Sequence, residues 1–121
     1  MIIIKNELEI IAIGKLLNFI KFDCTDEDCL LFAASPLINN IYEKVFFELN
    51  EIYTLKGRPS FDGQDYIENY PIYLESIKRN IINTNNWEDL TLEIKEKYVQ
   101  ELIKPYKFKQ ETLDLLIHNN K

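Results

Sequence analysis

The sequence predicts an all-α fold, a single compact bundle of about five to six helices with short connections, with residues 1–121 forming one domain. Two observations support this class. Apolar residues recur every three or four positions along several stretches, and residues that favour helix ends flank those stretches. Residues 1–4, MIII, could form an edge strand, but no later segment offers them a strand partner. We therefore expect them to begin the first helix or to lead into it in extended form.

The first helix is expected to begin at its cap, Asn6, and to run to about Lys21. A wide apolar face is predicted, made of Leu8, Ile11, Ile13, Leu16, Leu17 and Ile20. The polar and charged residues are expected mostly on the opposite face: Glu7, Glu9, Lys15, Asn18 and Lys21.

Four carboxylates fall within the six residues 23–28, DCTDED. Thr25 and Asp28 resemble a capping box for a short helix that spans Cys29–Ala34. The alternative is a metal-binding loop, although the segment lacks the ligand pattern of a calcium-binding EF-hand loop. Cys24 and Cys29 have no second cysteine pair beside them, and we expect both to be reduced thiols.

The central helix is predicted between Ser35, as its cap, and Gly57, as its left-handed end. Its buried stripe is expected to contain Ile38, Ile41, Val45, Leu49 and Ile52, widened by Tyr42, Phe46 and Tyr53. Residues 56–65 should form a loop, which is either a candidate site or a simple chain reversal.

The fourth helix is predicted over residues 65–83, with Pro71 causing a kink or a restart. Trp87 is expected to fill the core, although an exposed Trp would mark a binding pocket. Thr91 should cap a fifth helix that Pro105 stops, and a last helix should cover residues 110–118.

The sequence gives no specific support for an enzyme, a cofactor or a metal site. The single histidine, His118, falls near the chain end, where no buried partner would orient it for a catalytic triad. With three glycines in the chain, no phosphate-binding loop can be drawn. The apolar start is interrupted by charges and resembles neither a signal peptide nor a membrane span. We expect a cytoplasmic protein that does not bind membranes.

The net charge of −6 bears on the partner class. Proteins that bind nucleic acids directly usually carry an excess of positive charge, so direct nucleic-acid binding is disfavoured. A basic protein partner fits better, because complementary fields speed association.

In size, charge and helical class the chain resembles the small bacterial toxin-immunity proteins. The resemblance implies an inhibitor that blocks a basic, nuclease-like toxin domain. Its contact surface should combine carboxylates with aromatic anchors, and the predicted partner-binding residues are Asp62, Asp65, Tyr66, Glu68, Tyr70 and Tyr73. The alternatives are a structural homo-oligomer that uses this tyrosine line, and a small-ligand-binding protein or enzyme with a cavity between its helices.

Overall fold

The computed structural model describes residues 1–57 and 66–118, and within these ranges about 75% of the chain is helical. Six α-helices follow one another: α1 Glu7–Asn18, α2 Glu27–Ala33, α3 Pro36–Leu55, α4 Pro71–Ile82, α5 Leu92–Ile103 and α6 Gln110–His118. A π-helical turn, Phe19–Asp23, continues α1, and short 3-10 turns cover Ile67–Asn69 and Trp87–Asp89. The described residues contain no strand beyond one isolated bridge between Tyr66 and Lys107. The predicted all-α fold is confirmed.

The helix ends follow the capping chemistry of the sequence. The side chain of Asn6 accepts hydrogen bonds from the backbone N–H groups of Leu8 and Glu9, so α1 begins where predicted. Ser35 and Thr91 cap α3 and α5 in the same way. At α2 the predicted cap is wrong by one residue, because Asp26 rather than Thr25 accepts the hydrogen bond from the first turn.

The main core lies between α4, α5 and α6. It is built from buried aliphatic residues of all three helices: Ile77, Ile81, Val99, Leu102, Ile103, Leu113, Leu116 and Ile117. Phe22, Ala33, Ile67 and Trp87 complete it from the shorter segments. Trp87 is thus a core residue, as predicted. Pro71 restarts the chain as α4 after the 3-10 turn and does not kink a longer helix.

Helices α1 and α3 form an antiparallel pair beside this core. Lys56, just after α3, makes an ion pair of 3.2 Å with Glu7 at the start of α1. Gly14 lets the two helices approach closely, because a Cβ atom there would lie 2.6 Å from a methyl carbon of Leu49. Gly57 has a φ of 71°, the left-handed conformation predicted for the end of α3.

Several predicted faces are wrong in detail. On α3, Asn39 is fully buried, whereas Ile41, which was expected inside, is 49% exposed. On α1, Leu8 and Leu16 are exposed although they were assigned to the inner face. Lys21, which was assigned to the polar face, is buried. The helical spacing of apolar residues does not by itself show which sides of a helix are covered by the rest of the chain.

Candidate functional site

A cluster of aromatic rings lies where the start of α4 meets the π-helical turn. Tyr73 stacks on Phe22 with ring centroids 4.4 Å apart, and Tyr70 stacks on Tyr73 at 5.1 Å. Tyr106, which follows α5, lies 5.0 Å from Tyr70, 5.8 Å from Phe22 and 5.7 Å from Phe46 of α3. We call these five residues the aromatic cluster. It brings together four parts of the chain: the π-helical turn, α3, the start of α4 and the segment after α5.

Asn18 connects the aromatic cluster to α3 through polar contacts. Its amide nitrogen donates to the hydroxyl of Tyr73 over 3.1 Å, and its amide oxygen accepts from the hydroxyl of Tyr42 over 2.9 Å. Both tyrosine rings are thereby fixed in orientation while their apolar bodies pack. Asn18 was predicted on the solvent side of α1, and the structure instead places it between two helices.

A groove of about 440 Å³ runs along this junction, between α1 and α3 and as far as Tyr106. We call it the α1–α3 groove. Its lining includes the aromatic residues Phe19, Tyr42, Phe46 and Tyr53, together with Asn18 and Asp23. A second depression of about 430 Å³ shares Tyr106 and is bordered by Glu43, Tyr66, Lys104 and Phe108. Tyr106 of the aromatic cluster therefore borders both hollows.

The structure divides the predicted partner-binding residues into three groups. Asp62 and Asp65 lie outside the described residues. Tyr70 and Tyr73 are brought together, but as half-buried members of the aromatic cluster.

Tyr66 and Glu68 form the third group, and both meet the segment after α5 rather than the tyrosines. Glu68 accepts a hydrogen bond of 3.0 Å from the backbone N–H of Lys109. Burial by itself raises the pKa of Glu68, but hydrogen bonds from Thr112 and Lys109 outweigh it and hold that pKa below its usual value.

The most unusual polar group of the molecule is Lys21, whose side chain is only 1% exposed. Its ammonium nitrogen donates to the carbonyl oxygens of Ala33 and Glu101, each over 2.8 Å, and to the side-chain oxygen of Asn39 over 2.6 Å. These three acceptors match the three protons of an ammonium group. Asn39 in turn donates to the carboxylate of Glu101 over 2.8 Å. One lysine thus ties the π-helical turn to α2, α3 and α5.

Burial lowers the pKa of Lys21 from 10.5 to about 7. The nearby carboxylate of Glu101 opposes this shift, whereas the positive charge of Lys104 adds to it. Lysines with such pKa values can act as catalytic bases or nucleophiles. A substrate would have to reach the amine, however, and its three hydrogen-bond partners enclose it. We therefore interpret Lys21 as a structural group that fixes the packing of four segments.

The acidic segment 23–28 is closed by a disulfide between Cys24 and Cys29. The prediction of two reduced thiols is therefore wrong for this structure, because the first turn of α2 folds back and brings the two residues within 6.2 Å between Cα atoms. Four of the side chains in this segment, Asp23, Asp26, Glu27 and Asp28, are exposed. Within residues 1–57 and 66–118, none of these four takes part in an ion pair.

In the part of the chain that the structure describes, no three His, Cys, Asp or Glu side chains are grouped so that they could hold a metal ion. Among the described helices, none has the length and the apolar character needed to cross a membrane.

Sequence reasoning missed the residues that organise this region: Asn18, Lys21, Phe22 and Tyr106. The π-helical turn changes the side-chain period after Asn18, so helical spacing assigns Lys21 to the wrong side. Phe22 lies beyond the predicted end of the first helix, where that spacing assigns it no side. Tyr106 follows Pro105 in an irregular segment, where no period exists to place it.

Comparison of the chain with protein-family models, with curated proteins and with solved structures found no significant match.

Proposed function

We propose that this protein is a protein-binding module for a basic partner, and that it acts as an inhibitor in the manner of toxin-immunity proteins that block a basic, nuclease-like domain. The proposal rests mainly on one juxtaposition. Asp23 lines the α1–α3 groove and also begins the exposed acidic segment 23–28. Aromatic side chains and exposed carboxylates therefore adjoin at one place on the surface.

Each half of this juxtaposition has a separate physical role. Phe19, which is 51% exposed, and the half-buried Tyr53 present rigid rings in the groove that offer contact area at low entropic cost, which is typical of aromatic residues that contribute strongly to binding. The carboxylates at the rim, together with the net charge of −6, attract a positively charged partner and speed its association. Binding should therefore be fast and sensitive to salt.

The cytoplasmic location expected from the sequence belongs to the same proposal. The Cys24–Cys29 disulfide weighs against that location, because disulfides persist mainly in oxidising compartments.

The test begins with capture on the immobilised full chain. A lysate of the source cells is passed over it at low and at high salt, and retained proteins are identified by mass spectrometry. The expected result is a basic protein that is released at high salt. The purified candidate should then bind in a one-to-one complex by titration calorimetry.

Matched charge reversals locate the contact. Asp23→Lys should weaken binding by about tenfold or more, mainly through slower association. Asp114→Lys, an exposed reversal on α6, is the control and should change binding by less than about threefold. The double variant Asp62→Lys/Asp65→Lys tests the contact predicted from the sequence. Equal effects of Asp23→Lys and Asp114→Lys, or a retained partner that is acidic, would contradict the proposal.

A further inference from the structure

The Cys24–Cys29 disulfide joins two elements that are consecutive in the chain. Cys24 directly follows the π-helical turn, and its backbone N–H donates to the carbonyl oxygen of Phe19 over 2.8 Å. Cys29 lies in the first turn of α2, where its N–H donates to the carbonyl oxygen of Asp26 over 3.0 Å. Both cysteines are partly exposed, so a thiol in solution can approach the bond. The disulfide is thus an accessible link between the end of the π-helical turn and the start of α2.

Helix α2 is short and mostly exposed. It contains seven residues, and isolated helices shorter than about 12 residues are marginal in water. Of the seven described residues of α2, Ala33 alone is buried, and Leu30 packs partly against the core. Leu31 is 72% exposed and Phe32 47%. The position of α2 therefore depends on a small apolar contact, on the hydrogen bonds at its end and on the disulfide.

The end of α2 also closes the site of Lys21. The carbonyl oxygen of Ala33 accepts a hydrogen bond of 2.8 Å from the Lys21 ammonium, while Asn39 and Glu101 supply the other two acceptors from α3 and α5. Lys21 itself lies three residues before Cys24, in the turn that the disulfide joins to α2. A displacement of α2 removes one of the three acceptors and opens the amine to solvent from that side.

We propose that the Cys24–Cys29 disulfide is a reversible redox site, and that its reduction releases α2 and uncovers the amine of Lys21. The reductant is a dithiol. One of its thiolates attacks a sulfur of the bond, so that the S–S bond breaks, a mixed disulfide forms, and the released cysteine thiolate takes up a proton. The second thiol of the reductant then resolves the mixed disulfide. The reductant leaves as a disulfide, and the protein gains two electrons and two protons as two thiols.

The bond acts mainly on the opened state of α2. While the disulfide is intact, the opened segment from Cys24 to Cys29 remains a closed loop and has less conformational entropy than an open chain. Reduction removes this restriction and should raise the fraction of molecules with α2 open by about tenfold. The buried residues of α4, α5 and α6 pack on one another without either cysteine, so these helices should remain folded.

The first measurement is hydrogen exchange by mass spectrometry on the full chain, in which oxidised protein is compared with protein kept in dithiothreitol. Amides of α2 should exchange about tenfold faster in the reduced protein, and amides of α6 should exchange at an unchanged rate. Replacing dithiothreitol with oxidised glutathione should re-form the bond and restore slow exchange in α2, which tests reversibility.

The second measurement follows the amine of Lys21 through acetylation by an N-hydroxysuccinimide ester at constant pH, with each site quantified by mass spectrometry. The variant Cys24→Ser/Cys29→Ser cannot form the bond and needs no reductant. Its Lys21 should be acetylated about tenfold faster than in the oxidised wild type, relative to Lys97, whose side chain is 76% exposed. Thr25→Ser, an exposed change between the two cysteines that keeps the bond, is the control and should match the wild type.

Each part of the proposal has a result that would overturn it. Two free thiols that persist in oxidised glutathione would show that the bond does not form. Equal acceleration of α2 and α6 on reduction, or loss of the helical circular dichroism in the double variant, would show that the bond supports the whole fold instead of α2. Equal acetylation of Lys21 in the double variant and the oxidised wild type would show that α2 does not control access to the amine.

Discussion

Helices α5 and α1 each contain 12 residues but relate to the rest of the molecule very differently. The core-facing residues of α5, Val99, Leu102 and Ile103, are at most 1% exposed and contact α4 and α6. On α1, the buried positions are Gly14 and Leu17, whereas Leu8 and Leu16 remain exposed. The C-terminal two turns of α5 are buried against α4 and α6, although Leu92 and Ile94 in its first turn are about half exposed, whereas α1 is covered mainly on the side that faces α3.

The difference distinguishes α4–α6, which form the main core, from the α1–α3 pair, which leaves more apolar side chains accessible to a partner. Eight aliphatic residues of α4–α6 are buried against one another, and their burial supplies the main stabilisation. The α1–α3 pair leaves aromatic groups in the groove and the aliphatic side chains of Leu8 and Leu16 at or near the surface. The α1–α3 groove of this N-terminal region is the surface for which we propose a basic partner.

The largest expected effect comes from opening a cavity in the enclosed region. Ile77 on α4 is fully buried, so Ile77→Ala should lower the free energy of unfolding by about 2–5 kcal/mol. Leu16→Ala on α1 removes a similar amount of apolar side chain from an exposed site and should change it by less than about 0.5 kcal/mol. Urea unfolding of both variants, at a concentration where the protein is monomeric, measures the contrast. Similar losses in the two variants would mean that α1 is enclosed as well.

The next effect concerns Lys21, which lies where the two regions meet. Its pKa is about 7 in the folded protein and takes its ordinary value of 10.5 in the unfolded chain. Between these values the unfolded chain binds a proton that the folded protein lacks, so raising the pH favours folding. The free energy of unfolding is therefore higher above pH 10.5 than below pH 7. This gain in stability is complete above pH 10.5 and is lost as the pH falls toward 7.

Lys21→Met removes this titration and isolates its contribution. From pH 7 to pH 9 the free energy of unfolding of the wild type should rise by roughly 2 kcal/mol relative to that of the variant. Denaturant titrations at the two pH values measure this difference, and Lys78→Met, at an exposed lysine of α4, is the control. A wild type and a Lys21→Met variant with the same pH dependence would show that Lys21 keeps an ordinary pKa.

The sequence predicted the helices well because their ends carry local signals. Asn6, Ser35 and Thr91 cap helices where expected, and Pro71 starts α4, since capping depends only on neighbouring residues. The order of the helices followed from the spacing of apolar residues, and the core position of Trp87 followed from its large apolar side chain.

The candidate site could not be predicted in the same way, because it depends on how distant segments meet. The carbonyl partners of Lys21 belong to Ala33 and Glu101, 12 and 80 residues away in sequence. The aromatic cluster joins Phe22 to Tyr106 across most of the chain. The predicted tyrosine line placed Tyr70 and Tyr73 correctly beside each other, but nothing local indicated that Phe22 would stack on them.

The most direct test of the difference between the two regions is native-state hydrogen exchange, measured by mass spectrometry on peptic fragments at low denaturant concentrations. Amides of α4, α5 and α6 should exchange only through global unfolding, with an opening free energy close to that of the whole protein. Amides of α1 should exchange through a smaller opening, with a lower free energy and a weaker dependence on denaturant. Equal opening free energies and equal denaturant dependence for α1 and α5 would contradict the account, because the chain would then unfold as one uniform unit.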